Sequence, residues 1–162
     1  MSDTSVLPGS HTVRNLFEDL LGRDVNVSPG DPLAQGDLAT STVAIYTDNA
    51  QQIYGVLGMN LPLAANVGAA LGLLPAGAAE DSVDEKTLFP NLAENVGELC
   101  NVLTSLLNRE GGPHVKLYQV VYPGMDLPND ARAHLLALGR RLDLTIEVAR
   151  YGKGKFSLSL AP

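Results

Sequence analysis

Tryptophan is absent from this chain of 162 residues, cysteine occurs once, at Cys100, and aromatic residues make up 5% of the total. A lone cysteine excludes an internal disulfide, and so few aromatics leave aliphatic side chains to fill the core. Basic residues are scarce as well: 11 Lys and Arg against 18 Asp and Glu give a formal charge of -7. Only Arg140 and Arg141 are adjacent. Affinity for a phosphate backbone comes from clustered Lys and Arg, so no nucleic-acid partner is expected. The histidines, His11, His114 and His134, have no metal-ligand spacing. A G-x-S-x-G elbow, a phosphate loop and a dinucleotide fingerprint are all lacking, so the chain is expected to carry no metal and no cofactor of its own.

Charge is missing over one long stretch, Asn49 to Ala79. Leu61 to Ala79 is apolar enough to raise a membrane span, but Pro62 and Pro75 bracket only about a dozen residues, too few to cross ~30 Å of hydrocarbon. A helix buried in a core is the better account. Met1 to Gly9 has neither a basic start nor an apolar run, so a cytoplasmic protein is expected. With 45% hydrophobic and 18% charged residues, positions 1–162 are read as a single domain whose first nine residues are flexible.

The apolar pattern Val13, Leu16, Phe17, Leu20 and Leu21 predicts a helix over Ser10 to Leu21, with Ser10 as N-cap and Gly22 as stop. Asn26 to Asp37 reads as a loop. Thr40 to Thr47 and Gln52 to Leu57 read as a hairpin around Asp48-Asn49. A charge-free helix from Pro62 to about Leu74 follows, with Gly68 and Gly72 allowing close packing. Glu80 to Glu85 is read as a solvated loop. Asn91 is the predicted N-cap of a helix running to Asn108, with Glu94 completing a capping box. Val115 to Tyr122 reads as a strand and Asn129 to Leu142 as a helix with Arg140 and Arg141 near its C-terminal end. The chain closes in a hairpin, Thr145 to Ala149 and Phe156 to Leu160, around Gly152-Lys153-Gly154. This order lacks regular βαβ repetition and predicts an α+β fold, a mostly antiparallel sheet covered by long helices.

The helix over Asn91 to Asn108 carries a polar stripe. Glu94, Glu98, Asn101, Ser105 and Asn108 fall within roughly an 80° sector at ~100° per residue, opposite Leu92, Val96, Leu99, Leu103 and Leu106. No Lys or Arg interrupts this stretch, whereas a purely solvated face usually mixes signs. Asn is a poor helix former, about half a kcal/mol worse than Lys, Glu or Gln, which marks Asn101 as a residue with a task. Cys100 stands beside the apolar side and reads as a packing residue.

The run Glu94-Asn95-Val96-Gly97-Glu98-Leu99-Cys100-Asn101 resembles the signature of the CheC/CheX/FliY chemotaxis phosphatases. That signature is Asp or Ser, three residues, Glu, two residues and Asn, with a proline farther on. Glu stands at position 94, Pro123 lies downstream, and Gly124 to Leu127 resembles a turn found in CheX proteins. The element order is closest to the CheX branch, since the charge-free helix has Leu63 three residues before Asn66 and so lacks a second Glu-x-x-Asn.

The resemblance implies a CheC/CheX-like fold and dephosphorylation of the phospho-aspartate of a CheY-type receiver domain. Glu98 would grip the receiver's lysine and Asn101 would hold the attacking water. Glu94, Gly97, Ser105 and Asn108 would meet the partner. The magnesium ion would be the receiver's, and the chain would pair as a homodimer. Two alternatives stay open: a domain of the same fold that docks without hydrolysing, and an unrelated small-ligand domain with Asn49 to Ala79 lining a pocket.

Overall fold

Strands form where β-branched residues alternate, and the computed structural model, which describes residues 7–161, arranges them in one antiparallel sheet. Among the described residues the strands are β1 (Val25–Pro29), β2 (Thr42–Thr47), β3 (Ile53–Met59), β4 (Lys116–Val121), β5 (Arg141–Val148) and β6 (Gly152–Leu160). Their order is β1-β5-β6-β3-β2-β4, so the hairpins β2-β3 and β5-β6 join through β3 and β6. The expected α+β class is the one observed. Within β2, Ala44 and Tyr46 face one layer of core while Val43 and Ile45 face another, as a period of two requires.

Two strand expectations need correction. The stretch read as a loop from Asn26 to Asp37 contains most of β1 and, farther on, the first half of a 3₁₀ helix, Gln35–Thr40. β1 lies at the sheet edge, where Pro29 costs no ladder bond that a neighbour needs, so the proline signal misleads. The last hairpin turns earlier than expected. Val148 pairs with Gly152, and the residues read as its turn, Gly152, Lys153 and Gly154, lie inside β6. A Cβ at position 154 would meet the Leu63 amide nitrogen and lie 2.6 Å from Asn60 Oδ1. That glycine admits a helix end against the strand rather than making a turn.

The helices are α1 (Ser10–Leu21), α2 (Leu61–Leu71), α3 (Ala76–Asp84), α4 (Pro90–Val102) and α5 (Asn129–Leu136). α1 ends at Gly22, whose φ of 66° is the left-handed stop expected. Its N-cap is Gly9 rather than Ser10. Of the nine residues expected to be flexible, 1–6 lie outside the described residues. α2 is buried along almost its whole length, from Leu63 to Ala70, which is why it carries no charge. Asn60 caps it, its Oδ1 accepting from the Leu63 and Lys155 amides. Among the described residues no helix is long and apolar enough to cross a membrane.

α3 replaces the loop expected at Glu80 to Glu85. Ala76, Ala78 and Ala79 favour a helix, and Ala79 and Ser82 are buried. α5 is shorter than predicted. It stops before Ala137, Leu138 stands 94% exposed, and Arg141 and Leu142 belong to β5. Arg141 nevertheless serves the helix end, donating to the carbonyls of Leu135 and Ala137 while its Nε and Nη2 pair with Asp143.

Most of the core lies under α1, α2 and α4, where Phe17 meets Phe156 edge to face at 6.1 Å between ring centroids. A smaller cluster covers the other sheet face, with Leu33, Leu38, Ala131 and Leu135 closing over Val43, Ile45, Val56 and Val121.

Candidate functional site

α4 is held rigidly from behind. Leu92, Val96, Leu99 and Cys100 are buried, and Leu103 continues that side just past the helix. Gly68 of α2 lets the two helices touch, since a Cβ there would sit 2.8 Å from the Leu92 carbonyl oxygen. Asn95 Nδ2 donates to Gly68 O at 2.9 Å, locking the pair. The close packing expected of Gly68 and Gly72 is present, as a Cβ at position 72 would lie 2.6 Å from Asn95 Nδ2.

The start of α4 differs from the sequence reading. Phe89 is the N-cap and Pro90 opens the helix, so Asn91 lies inside it, its Oδ1 accepting from the Leu92 amide at 3.0 Å. The Asn91–Glu94 capping box does not form, and Glu94 keeps no capping role. Proline at the first helical position shifts the boundary outward by fixing φ and giving up an amide that has no partner there.

The end differs too. After Val102 the chain tightens into a 3₁₀ helix, Leu103–Leu106. The Cys100 carbonyl accepts the Tyr46 hydroxyl at 2.6 Å, giving a fully buried phenol its partner. The extra ~20° per residue of a 3₁₀ helix turns Ser105 roughly 60° away from the α-helical stripe. Asn108 is engaged by the fold: its Oδ1 accepts from the Val115 amide and its Nδ2 donates to Val115 O, both at 2.8 Å, fastening the approach to β4.

The stripe therefore contracts to Glu94, Glu98 and Asn101, all exposed within a sector of about 60°. Neither the Glu98 nor the Asn101 side chain has a hydrogen-bond partner among the described residues. Gly97 is half-buried beside them because the Tyr122 hydroxyl occupies the space a Cβ would fill. Burial, and behind it the nearby Cys100, raises the Tyr122 hydroxyl above its ordinary range. Met125 Sδ accepts from the Tyr122 amide at 3.4 Å, and Met125 is 49% exposed. Val102, next to Asn101, is exposed as well. Sequence reading missed the approach of Tyr122 to Gly97. A mid-helix glycine at position 97 was the available signal of a close approach.

Cys100 is fully buried, and burial raises its thiol from 9.0 to about 12, which excludes a nucleophile at neutral pH. Among the described residues no group of three or more His, Cys, Asp or Glu could hold a metal ion.

No family model matches the chain, and no curated protein matches it in sequence. Solved structures do. The middle domain of Helicobacter pylori FliM is similar at a TM-score of 0.50 and 10% identity, over 93% of this chain and 84% of that one. The H. pylori FliG–FliM complex contains a chain similar at 0.50 and 9%, over 93% and 85%. The Borrelia burgdorferi CheX–CheY–BeF3–Mg complex is similar at 0.44 and 9%, over 91% and 92%. A CheC-like superfamily protein from Shewanella is similar at 0.47 and 16%, over 94% of each chain. The chain shares its fold with the FliM middle domain, and CheX and CheC-like proteins stand among the structures similar to it.

Proposed function

We propose that the outer face of α4 docks a phosphorylated receiver domain of the CheY type and removes the phosphoryl group from its aspartate. The observation that carries this reading is that Glu98 and Asn101 stand exposed and without internal partners on a helix whose back is fully packed. Phosphoryl transfer asks mainly for positioning and charge stabilisation, and both come cheaply from a rigid surface. Glu98 receives the receiver's lysine, and Asn101 orients a water in line with the phosphorus. The water oxygen bonds to phosphorus as the bond to the aspartate carboxylate breaks, leaving phosphate and a free aspartate. Asn101 orients without acting as a base, and the magnesium ion is the receiver's own.

Glu94 adds negative charge to the contact, and Gly97 with Tyr122 and Met125 supplies an apolar margin. Ser105 sits at the edge of this surface, and Asn108 supports it from within the fold. A homodimer is part of the same reading, with the free edges of the sheet at β1 and β4 as its routes. A cytoplasmic location follows, since that is where receiver domains work.

The test is to mix the chain with a phosphorylated CheY-type receiver and follow loss of phosphate. Faster decay than the receiver alone is expected, and Asn101→Ala reduces it on the order of 100-fold. Unchanged decay at saturating protein overturns the phosphatase reading, and full activity in Asn101→Ala overturns the role of that residue. A second reading, a docking module without turnover, is favoured by the likeness to a chain of the FliG–FliM complex, a fold of this kind seen bound to another protein. It predicts binding to the receiver with no change in its decay.

A further inference from the structure

Position 97 is the single glycine of α4, and the place its side chain would take belongs to another residue. A Cβ there would strike the Tyr122 hydroxyl oxygen before any other atom outside the helix. The phenol thus stands on the helix surface where a side chain of residue 97 would stand. At ~100° per residue that place is about 40° from Asn101 and about 60° from Glu94, on the side away from Glu98. Residues four apart are stacked neighbours, with Cβ atoms about 5–6 Å apart, and helical side chains lean toward the N-terminus. Asn101 therefore leans toward the hydroxyl, while Glu94 leans away from it.

The backbone holds the phenol in this place. Tyr122 follows β4 directly and opens a tight turn, the Met125 amide donating to the Tyr122 carbonyl at 3.0 Å, with Pro123 second and Gly124 third at a φ of 88°. This is the type II pattern, in which proline and glycine each suit the dihedrals of their position. The Tyr122 hydroxyl has no hydrogen-bond partner among the described residues, although a half-buried phenol usually finds one. Unlike the sealed Thr42 and Thr104 hydroxyls, its oxygen keeps contact with solvent and can be reached. It stays protonated at neutral pH, since burial and, behind it, Cys100 raise it.

We propose that Tyr122 is the positioning residue for Asn101: on receiver docking its hydroxyl oxygen accepts from Asn101 Nδ2, which turns Oδ1 toward the attacking water. A carboxamide presents a donor and an acceptor edge of nearly the same shape, and nothing in the free chain fixes which one faces outward at Asn101. Only with Oδ1 outward does the water donate to the amide and keep a lone pair for phosphorus. Glu98 is taken up by the receiver's lysine and Glu94 leans away, so the phenol is the acceptor left for the amide. The inference rests on the hydrolysis proposed above.

The full chain is assayed over a range of concentrations of a phosphorylated CheY-type receiver, as wild type, Tyr122→Phe, Asn101→Ala and the double variant. Tyr122→Phe is expected to lower turnover about tenfold, with the half-saturating receiver concentration and the melting temperature unchanged. In the Asn101→Ala background it costs nothing further, because the hydroxyl acts through that amide. Full turnover in Tyr122→Phe overturns the inference while the hydrolysis stands. So does a rise in half-saturating concentration alone, which marks a docking contact, or a fall in melting temperature, which marks a structural one. Losses that multiply in the double variant overturn it too, since the phenol then acts on the receiver directly. No acceleration by the wild-type chain overturns the hydrolysis and this inference with it.

Discussion

Cys100 ties the site to stability through its proton. In the native state the thiol titrates near 12 instead of 9.0 because it is buried, so between those values the unfolded chain releases a proton that the folded chain keeps. Stability is unaffected by this group below pH 9.0 and falls as pH rises from there toward 12, by on the order of 4 kcal/mol in all. Denaturant unfolding at pH 8, 9 and 10 should show the decline, and Cys100→Ala should flatten it. The native thiol should resist iodoacetamide at pH 8 and react on unfolding. Asn101 makes the opposite case. Its side chain is exposed and unpartnered, so Asn101→Ala should raise stability by about half a kcal/mol through helix propensity while reducing the proposed hydrolysis. A loss of activity that came with a fall in melting temperature would instead mark Asn101 as structural.

Elements act here through their contacts. α2 and α4 meet at Gly68, where a Cβ would strike the Leu92 backbone at 2.8 and 3.2 Å. Neither atom can step aside without moving a helix, so Gly68→Ala should cost about 1–3 kcal/mol in equilibrium unfolding and displace the α4 face. A cost near zero would show that the helices can slide. β5 is tied to β6 and to the end of α5 by the Arg141–Asp143–Ser157 set, with Arg141 Nε 2.8 Å from Asp143 and Ser157 Oγ 2.7 Å from it. Burial alone would raise the Asp143 carboxyl, but hydrogen bonds from Arg141 and Ser157 and the Arg141 charge outweigh it and hold it below 3.8. A depressed native value contributes stability above the ordinary one and loses it as pH falls through the native one. Acid unfolding followed below pH 4 should therefore include a step that Asp143→Asn abolishes.

At the scale of the whole molecule, a net charge of -7 and an α4 face without Lys or Arg would make the proposed receiver docking an electrostatic encounter. The association rate should fall roughly tenfold between low salt and about 0.5 M, because screening shortens the reach of charge to a few ångströms. A rate independent of salt would remove the carboxylate-to-lysine contact from the account.

How much was legible beforehand differs by segment. The α+β class, α1, the β2–β3 hairpin, the buried α2 and the exposed Glu98 and Asn101 follow from periodicity and charge, which are local properties that each segment carries in its own residues. What misled were residues whose reason lies elsewhere in the fold. Pro29 is allowed by an edge position, Gly154 by the approach of α2, and Gly97 by the Tyr122 hydroxyl. Asn108 fits the stripe by angle, yet is committed to Val115 by a loop closing back on it. The chain by itself determined which faces are apolar and where a carboxylate and an amide share a helical surface. Only the tertiary structure decided where that helix begins and ends and which polar groups remain free, because each of these depends on contacts between segments distant in sequence.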